Sequence, residues 1–290
     1  MAALIHQILS GLAMGSIYAC VALAVVMIYQ ATHLVNFAQG EMAMFSTYIA
    51  WALINAGVPY WGAFFLTIIF SFVLGMAIER LIIRQFDGAP VLTVVIVFIG
   101  LLVIINSLAG FLFSYTIKSF DSPFPETMSF GRGYISPHEL GSIGVVLVVL
   151  ALVYAFFRFT PLGLAMRAAA QNPVSARLVG IRVHRMLAIG WGLAAAIGAV
   201  AGMMAAPIVY LDPNMMLGIL LYGFAAALLG GIDNPWGAAL GGFIVGVLEN
   251  VAGAYLVGEE IKLTVALAII IGVLVAKPSG LFSRAIVTRV

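Results

Sequence analysis

Apolar runs that could cross the hydrocarbon core of a bilayer follow one another along almost the whole chain. Such a crossing needs about 20 residues in a helix, because each adds ~1.5 Å and the core is ~30 Å thick. Runs of this kind are Ile5–Ile28, Glu41–Ala56, Trp61–Ile83, Val91–Phe113, Leu140–Phe157, Met186–Tyr210, Trp236–Val257 and Leu263–Ala276. A ninth, Met215–Leu229, has about 15 residues and reads as short or re-entrant. Lipid offers no water to the backbone, so a run of this length must satisfy its own peptide groups as a helix. The expected fold is therefore all-α, a polytopic membrane helix bundle of about eight spans plus one short or re-entrant helix. No polar linker divides the chain, so residues 1–290 read as a single transmembrane domain. Only 8% of residues are charged, against about a quarter in a soluble domain. Thirteen basic residues scattered along such a chain make no nucleic-acid-binding face. With Cys20 as the one cysteine, no disulfide within the chain can form.

Charge placement orients the bundle. If all nine segments cross and the loop Gly163–Val183 is cytoplasmic, Arg80, Arg84, Arg158, Arg167, Arg177, Arg182, Arg185, Lys277, Arg284 and Arg289 fall inside. Lys118, Arg132 and Lys262 fall outside. That excess obeys the positive-inside rule and puts the C-terminus in the cytoplasm. No Lys or Arg precedes Arg80, so the first run lacks the basic start of a cleaved signal and reads as a permanent helix. The longest outside loop, Ser114–Glu139, mixes Pro, Gly, aromatics and both signs of charge. It suits either a solvated connector or a surface gripped by a partner.

Polar residues inside the apolar runs are the candidates for function. "LVNFAQGEMAM", Leu34 to Met44, brings Asn36, Gln39 and Glu41 close to membrane depth. Such groups are costly in lipid unless they face a bundle interior or a watery route. Two readings stay open: a broken helix lining a substrate path, or a tight turn with Glu41 favouring a helix N-terminus. Glu249, late in its run, is either a functional buried carboxylate or a side chain that snorkels or pairs with Lys262. Gly11/Gly15, Gly198/Gly202, Gly237/Gly241 and Gly242/Gly246 are spaced for close helix–helix approach. No HExxH, nucleophile elbow or GxxxxGK[ST] occurs, so neither metal hydrolysis, serine chemistry nor nucleotide binding in a P-loop is encoded.

The most basic stretch is also the best punctuated. Thr160 can cap and Pro161 can open a helix to about Gln171; Asn172 and Pro173 repeat the device for a shorter helix ending at Gly180. Ala165, Ala168 and Ala169 share one face of the first helix, where their size would let it lie in a groove on another protein. Arg158, Arg167, Arg177, Arg182 and Arg185 accompany it without an acid. On these residues alone, a purely topogenic loop fits as well.

"GLAMRAAAQNPVSARLVGIRVHRMLAIGW" from Gly163, "GLAMGSIYACVALAVVMIYQATHLVNFAQGEM" from Gly11 and "LLGGIDNPWGAALGGFIVGVLEN" from Leu228 closely resemble three blocks of one family. That family is the permease subunits of branched-chain amino acid ABC transporters, and the likeness is nearest its LivH-type member. The blocks stand in the family's order over nearly the whole chain, with Gln39 where His is frequent. The resemblance implies a bacterial inner-membrane permease, itself not an enzyme and without a cofactor of its own. Its implied partners are a LivM-type permease subunit, two ATPase subunits that use ATP, and a periplasmic substrate-binding protein. It also implies that residues 158–185 form a cytoplasmic coupling loop touching an ATPase through Arg167, Ala168, Ala169, Asn172, Pro173, Ala176, Gly180 and Ile181. Branched-chain or other hydrophobic amino acids are the implied substrates, with urea, amides or aromatic acids as the runner-up. An ion-coupled secondary transporter is a further alternative, which would want acids near mid-bilayer, and Glu41 and Glu249 are few and close to the ends of their runs.

Overall fold

Helix α1 (Ala2–Thr32) is the axis of the structure. Seen in the computed structural model, which describes residues 2–124, 135–258, 261–277 and 279–282, its most apolar window is 89% buried. Arg132, Arg284 and Arg289 of the charge balance, and the Lys262 side chain as a partner for Glu249, lie outside the described residues. At ~1.5 Å per residue, a 31-residue helix is about 46 Å long and exceeds the hydrocarbon core, so it must tilt or protrude.

The chain continues through α2 (Gln39–Asn55), α3 (Tyr60–Leu81), a 3₁₀ turn (Ile83–Phe86) and α4 (Val91–Phe113). Then come α5 (Pro137–Phe159), α6 (Pro161–Gln171), α7 (Pro173–Leu178), α8 (Val183–Val209), α9 (Met216–Gly230), α10 (Pro235–Ala252), a π turn (Gly253–Val257) and α11 (Lys262–Ala276). The described residues are thus nearly all helical, with six helices long and apolar enough to cross a membrane. Two of the runs read from sequence as spans form helices too short to stand among these six: α2 has 17 residues and α11 has 15, as many as α9. A break, His33–Ala38, separates α2 from α1.

Small residues let α1 and α10 pack at backbone distance. A Cβ added at Gly15 would lie 2.8 Å from the Phe243 Cα, and one at Gly11 would lie 2.8 Å from the Val247 Cα. Gly246 meets the Gly15 backbone in return. The glycine pairs foreseen for helix contact are thus used within the subunit, including Gly237/Gly241 against α9. Helix α8 lies against α1, α2 and α3, its middle built from buried Ala and Gly. By contrast, α4 and α5 are buried over only 22% and 11% of their apolar windows. Their outer faces carry Leu92, Ile96, Ile104, Leu147 and Leu152, all exposed. In water such a surface would be a large liability, whereas lipid or another apolar subunit is a neutral neighbour for it.

Helix ends gather at two poles. At one, Gln30 Nε2 donates to the Asp233 carbonyl (2.9 Å), Leu281 N to the Leu229 carbonyl (2.8 Å), and Arg84 reaches the His184 carbonyl (3.3 Å). This pole carries α6 and α7. At the other, Ser10 Oγ donates to Glu139 (2.6 Å), Lys118 and Leu211 exchange backbone bonds, and Lys118 Nζ sits 4.8 Å from the Trp51 ring. The two ends of α9 therefore lie at opposite poles.

Candidate functional site

The break between α1 and α2 carries a buried polar set. His33 adopts a left-handed backbone (φ 55°), and Asn36, Gln39 and Glu41 are all buried. Asn36 Oδ1 accepts from Ala38 N at 3.0 Å, an Asx turn that replaces helical bonding and starts α2. Gln39 Nε2 donates to the Ala194 carbonyl at 3.0 Å, close to the midpoint of α8. Gly198 makes room for that amide, since a Cβ there would stand 2.5 Å from it. Helix α2 thus begins about halfway along α8, inside the bundle, rather than in a turn at its end.

Two residues further on, Glu41 is 2% exposed and points towards α4. Its Oε2 accepts from Asn106 Nδ2 (3.2 Å), which also faces the Pro213 carbonyl (2.8 Å) and Asn214 Oδ1 (3.3 Å). Two turns along the same helix, the buried Tyr48 hydroxyl has no hydrogen-bond partner among the described residues. Asn106 was missed in the sequence because it is a lone amide in an apolar helix, which periodicity treats as noise.

Glu249 belongs to a second cluster. It is buried on α10 and accepts from Tyr18 Oη at 2.6 Å. Tyr222 stacks on Tyr18 with ring centroids 4.8 Å apart and lies within hydrogen-bonding reach of the same carboxylate. Tyr18 stands near the middle of α1, so Glu249 turns inward rather than out to the membrane surface. Helix α9 separates the two clusters: Met216 and Leu220 cover Gly40, while Tyr222 faces Glu249.

The loop forms the expected helix pair. Thr160 Oγ1 accepts from Gly163 N (3.0 Å) and Asn172 Oδ1 from Ser175 N (2.9 Å), each followed by a proline that opens the helix. Gly180 has φ +85° and ends the unit. Its side chains, however, divide differently from the small-face expectation. Ala169 and Ala176 are buried against Val183, with Ile181, Met186 and Leu187 around them. Their small size serves a groove within this chain, where α8 begins. Arg167, Asn172, Pro173 and Gly180 are exposed, while Ala168 and Ile181 are half-buried. The sequence reading passed over Val174, Leu178 and Val179, which stand uncovered at 68%, 84% and 77% exposure. Glu79 of α3 holds Arg84 (2.9 Å), whose guanidinium also reaches the His184 carbonyl at the start of α8, the helix on which the unit packs. A cavity of about 450 Å³ beneath α6, lined by Gln30, Arg158, Arg167 and Trp236, is remote from Glu41 and Glu249. Among the described residues no three His, Cys, Asp or Glu side chains converge on a metal position.

Apolar outer faces, a chain break inside the bundle and the buried carboxylates Glu41 and Glu249 fit a multi-pass membrane protein of the transport class. Residues 7–274 match the family described as branched-chain amino acid transport system / permease component, and the chain belongs to that family. It is 31% identical to the high-affinity branched-chain amino acid transport system permease protein LivH of Salmonella typhimurium, over 99% of this chain and 97% of the relative. It is 30% identical to the corresponding protein BraD of Pseudomonas aeruginosa, over 99% and 98%. These relatives are transport permeases and not enzymes. Among solved structures, PsaBC from Streptococcus pneumoniae in complex with Fab overlaps 91% of this chain and 90% of its own, at 13% identity and a TM-score of 0.49.

Proposed function

We propose that this chain is the LivH-type permease of an ATP-driven importer of branched-chain or other hydrophobic amino acids. In this reading residues 1–290 form one transmembrane domain in the bacterial inner membrane, with a cytoplasmic C-terminus. The six long helices with α2 and α11 provide about eight crossings, and α9 is the short ninth. A LivM-type permease completes the path against the uncovered faces of α4 and α5. A periplasmic binding protein delivers substrate, and two ATPase subunits use ATP, so this chain needs no cofactor. Asn36, Gln39, Glu41 and Glu249 serve the path or the helix movements that open it.

The observation that carries the reading is the α6–α7 unit. It is capped at both helix starts, basic, free of acid, and braced on α8, yet it leaves Val174, Leu178 and Val179 bare. Bare apolar side chains beside exposed arginines suit docking of a water-soluble ATPase. Arg167, Ala168, Asn172, Pro173, Gly180 and Ile181 frame that contact, and buried Ala169 and Ala176 hold its shape. A docked partner shifts a two-state permease only by binding its states unequally, and a braced unit passes such a difference into α8. Reconstituting this chain with its LivM-type, ATPase and binding-protein partners should give ATP-dependent leucine uptake into vesicles. Uptake that persists without ATPase subunits and follows an ion gradient would replace this reading with a secondary transporter.

A further inference from the structure

Three acceptors crowd one amide where α4 meets the segment that leads into α9. Asn106 Nδ2 carries two hydrogens, yet Glu41 Oε2, the Pro213 carbonyl and Asn214 Oδ1 lie 3.2, 2.8 and 3.3 Å from it. One of these acceptors is a carboxylate buried to 2% exposure. The ion pair among the described residues, Arg84–Glu79, is at the α6–α7 pole and gives Glu41 no counter-charge. A lone carboxylate in a membrane bundle is costly, and it is retained where a cation visits or a partner supplies one.

We infer that Glu41, Asn106, the Pro213 carbonyl and Asn214 form a subsite for a primary ammonium group, the α-ammonium of an amino acid in transit. An ammonium brings three N–H donors and one positive charge to three acceptors that now share two hydrogens. When Asn106 turns aside its amide is freed to donate to the carboxylate end of the same molecule. Access lies along the outer side of α4, where Val103, Ile104 and Ser107 are exposed beside half-buried Asn106, and past exposed Asn214. The identification of the cation rests on the amino-acid reading above; the preference for a cation does not.

Cys20, the one cysteine, is buried, so a Cys20→Ala background makes a single introduced thiol a clean probe. Asn106→Cys in the assembled transporter in nanodiscs is reacted with 2-aminoethyl and with 2-sulfonatoethyl methanethiosulfonate, each rate normalised to a free thiol. Even at the dielectric of water, a carboxylate ~4 Å away separates reagents of opposite charge by roughly 30-fold. The cationic reagent should be faster by about that factor, and Glu41→Gln should bring the ratio near one. Ser107→Cys supplies the same comparison with a smaller ratio should Asn106→Cys fail to assemble. Equal rates, a preference that survives Glu41→Gln, or thiols reactive only in the isolated chain would overturn the subsite. Leucine uptake by the wild-type transporter tests the parent reading separately: cation preference without uptake would leave the subsite standing and remove its assigned substrate.

Discussion

Leu178→Asp is the sharpest probe of the proposed coupling role of α6 and α7, because the structure separates what it does to this chain from what it does to a partner. Leu178 is 84% exposed on α7, one helical turn from Val174, so the two form a single bare patch. The side chain contributes little to this chain's own packing, so its replacement should change the fold's stability by no more than about 0.5 kcal/mol. A docked ATPase would bury it, and covering a leucine is worth about 1.5–3 kcal/mol. Removing about 2 kcal/mol of that contact weakens docking by roughly 30-fold, and an unpaired carboxylate in the contact adds to the loss. Ala169→Glu makes the opposite contrast: it places a carboxylate among Ala176, Val183 and Ile181 and should loosen the unit itself. The assay is ATPase retention by the tagged permease across a dilution series, with leucine uptake alongside and trypsin cleavage at the loop arginines reporting integrity. Leu178→Asp should lose retention and uptake with a wild-type digest, whereas Ala169→Glu should lose all three. Wild-type retention and uptake for Leu178→Asp would refute a docking role for this face.

Gly15→Val should lower the denaturation temperature in detergent, since its Cβ would meet the Phe243 Cα at 2.8 Å and overpacking costs about 1–3 kcal/mol; an unchanged temperature would mean that α1 and α10 are not in close contact. Tyr18→Phe removes the 2.6 Å bond to Glu249, a charged-acceptor bond worth about 1.5–3 kcal/mol, and most of that loss should vanish in a Glu249→Leu background. Additive losses in that cycle would show that the pair is not coupled. Gly198→Leu should push the Gln39 amide away from Ala194 and reduce uptake more than expression; equal uptake per molecule would remove the break from the transport cycle.

The polar stretch shows how far local chemistry reads. Asn36, Gln39 and Glu41 were conspicuous because amide and carboxylate groups are expensive at membrane depth, whatever the fold. Whether they sat in a turn outside the bundle or a break inside it depended on what lay beside them, and that was Ala194 and Gly198 of α8, over 150 residues away in the chain. Asn106 gave no comparable signal, because its meaning comes from Glu41, Pro213 and Asn214 converging on it. Tyr18 and Tyr222 were likewise indistinguishable from interfacial aromatics until stacked over Glu249.

Helix content, caps and the position of the loop are determined by the sequence itself, because each follows from neighbours within about one helical turn: apolar length, Thr160 with Pro161, Asn172 with Pro173, and Gly180. Which faces are inside is not. Ala168 and Ala169 are adjacent and chemically identical, yet one is half-buried and the other is packed against Val183. In a chain so uniformly apolar, hydrophobicity no longer marks the core, since lipid is as apolar as the interior. Burial is then decided by shape: by which small residues let backbones close, and which polar groups find partners on helices far away in sequence. That information exists only in the assembled bundle.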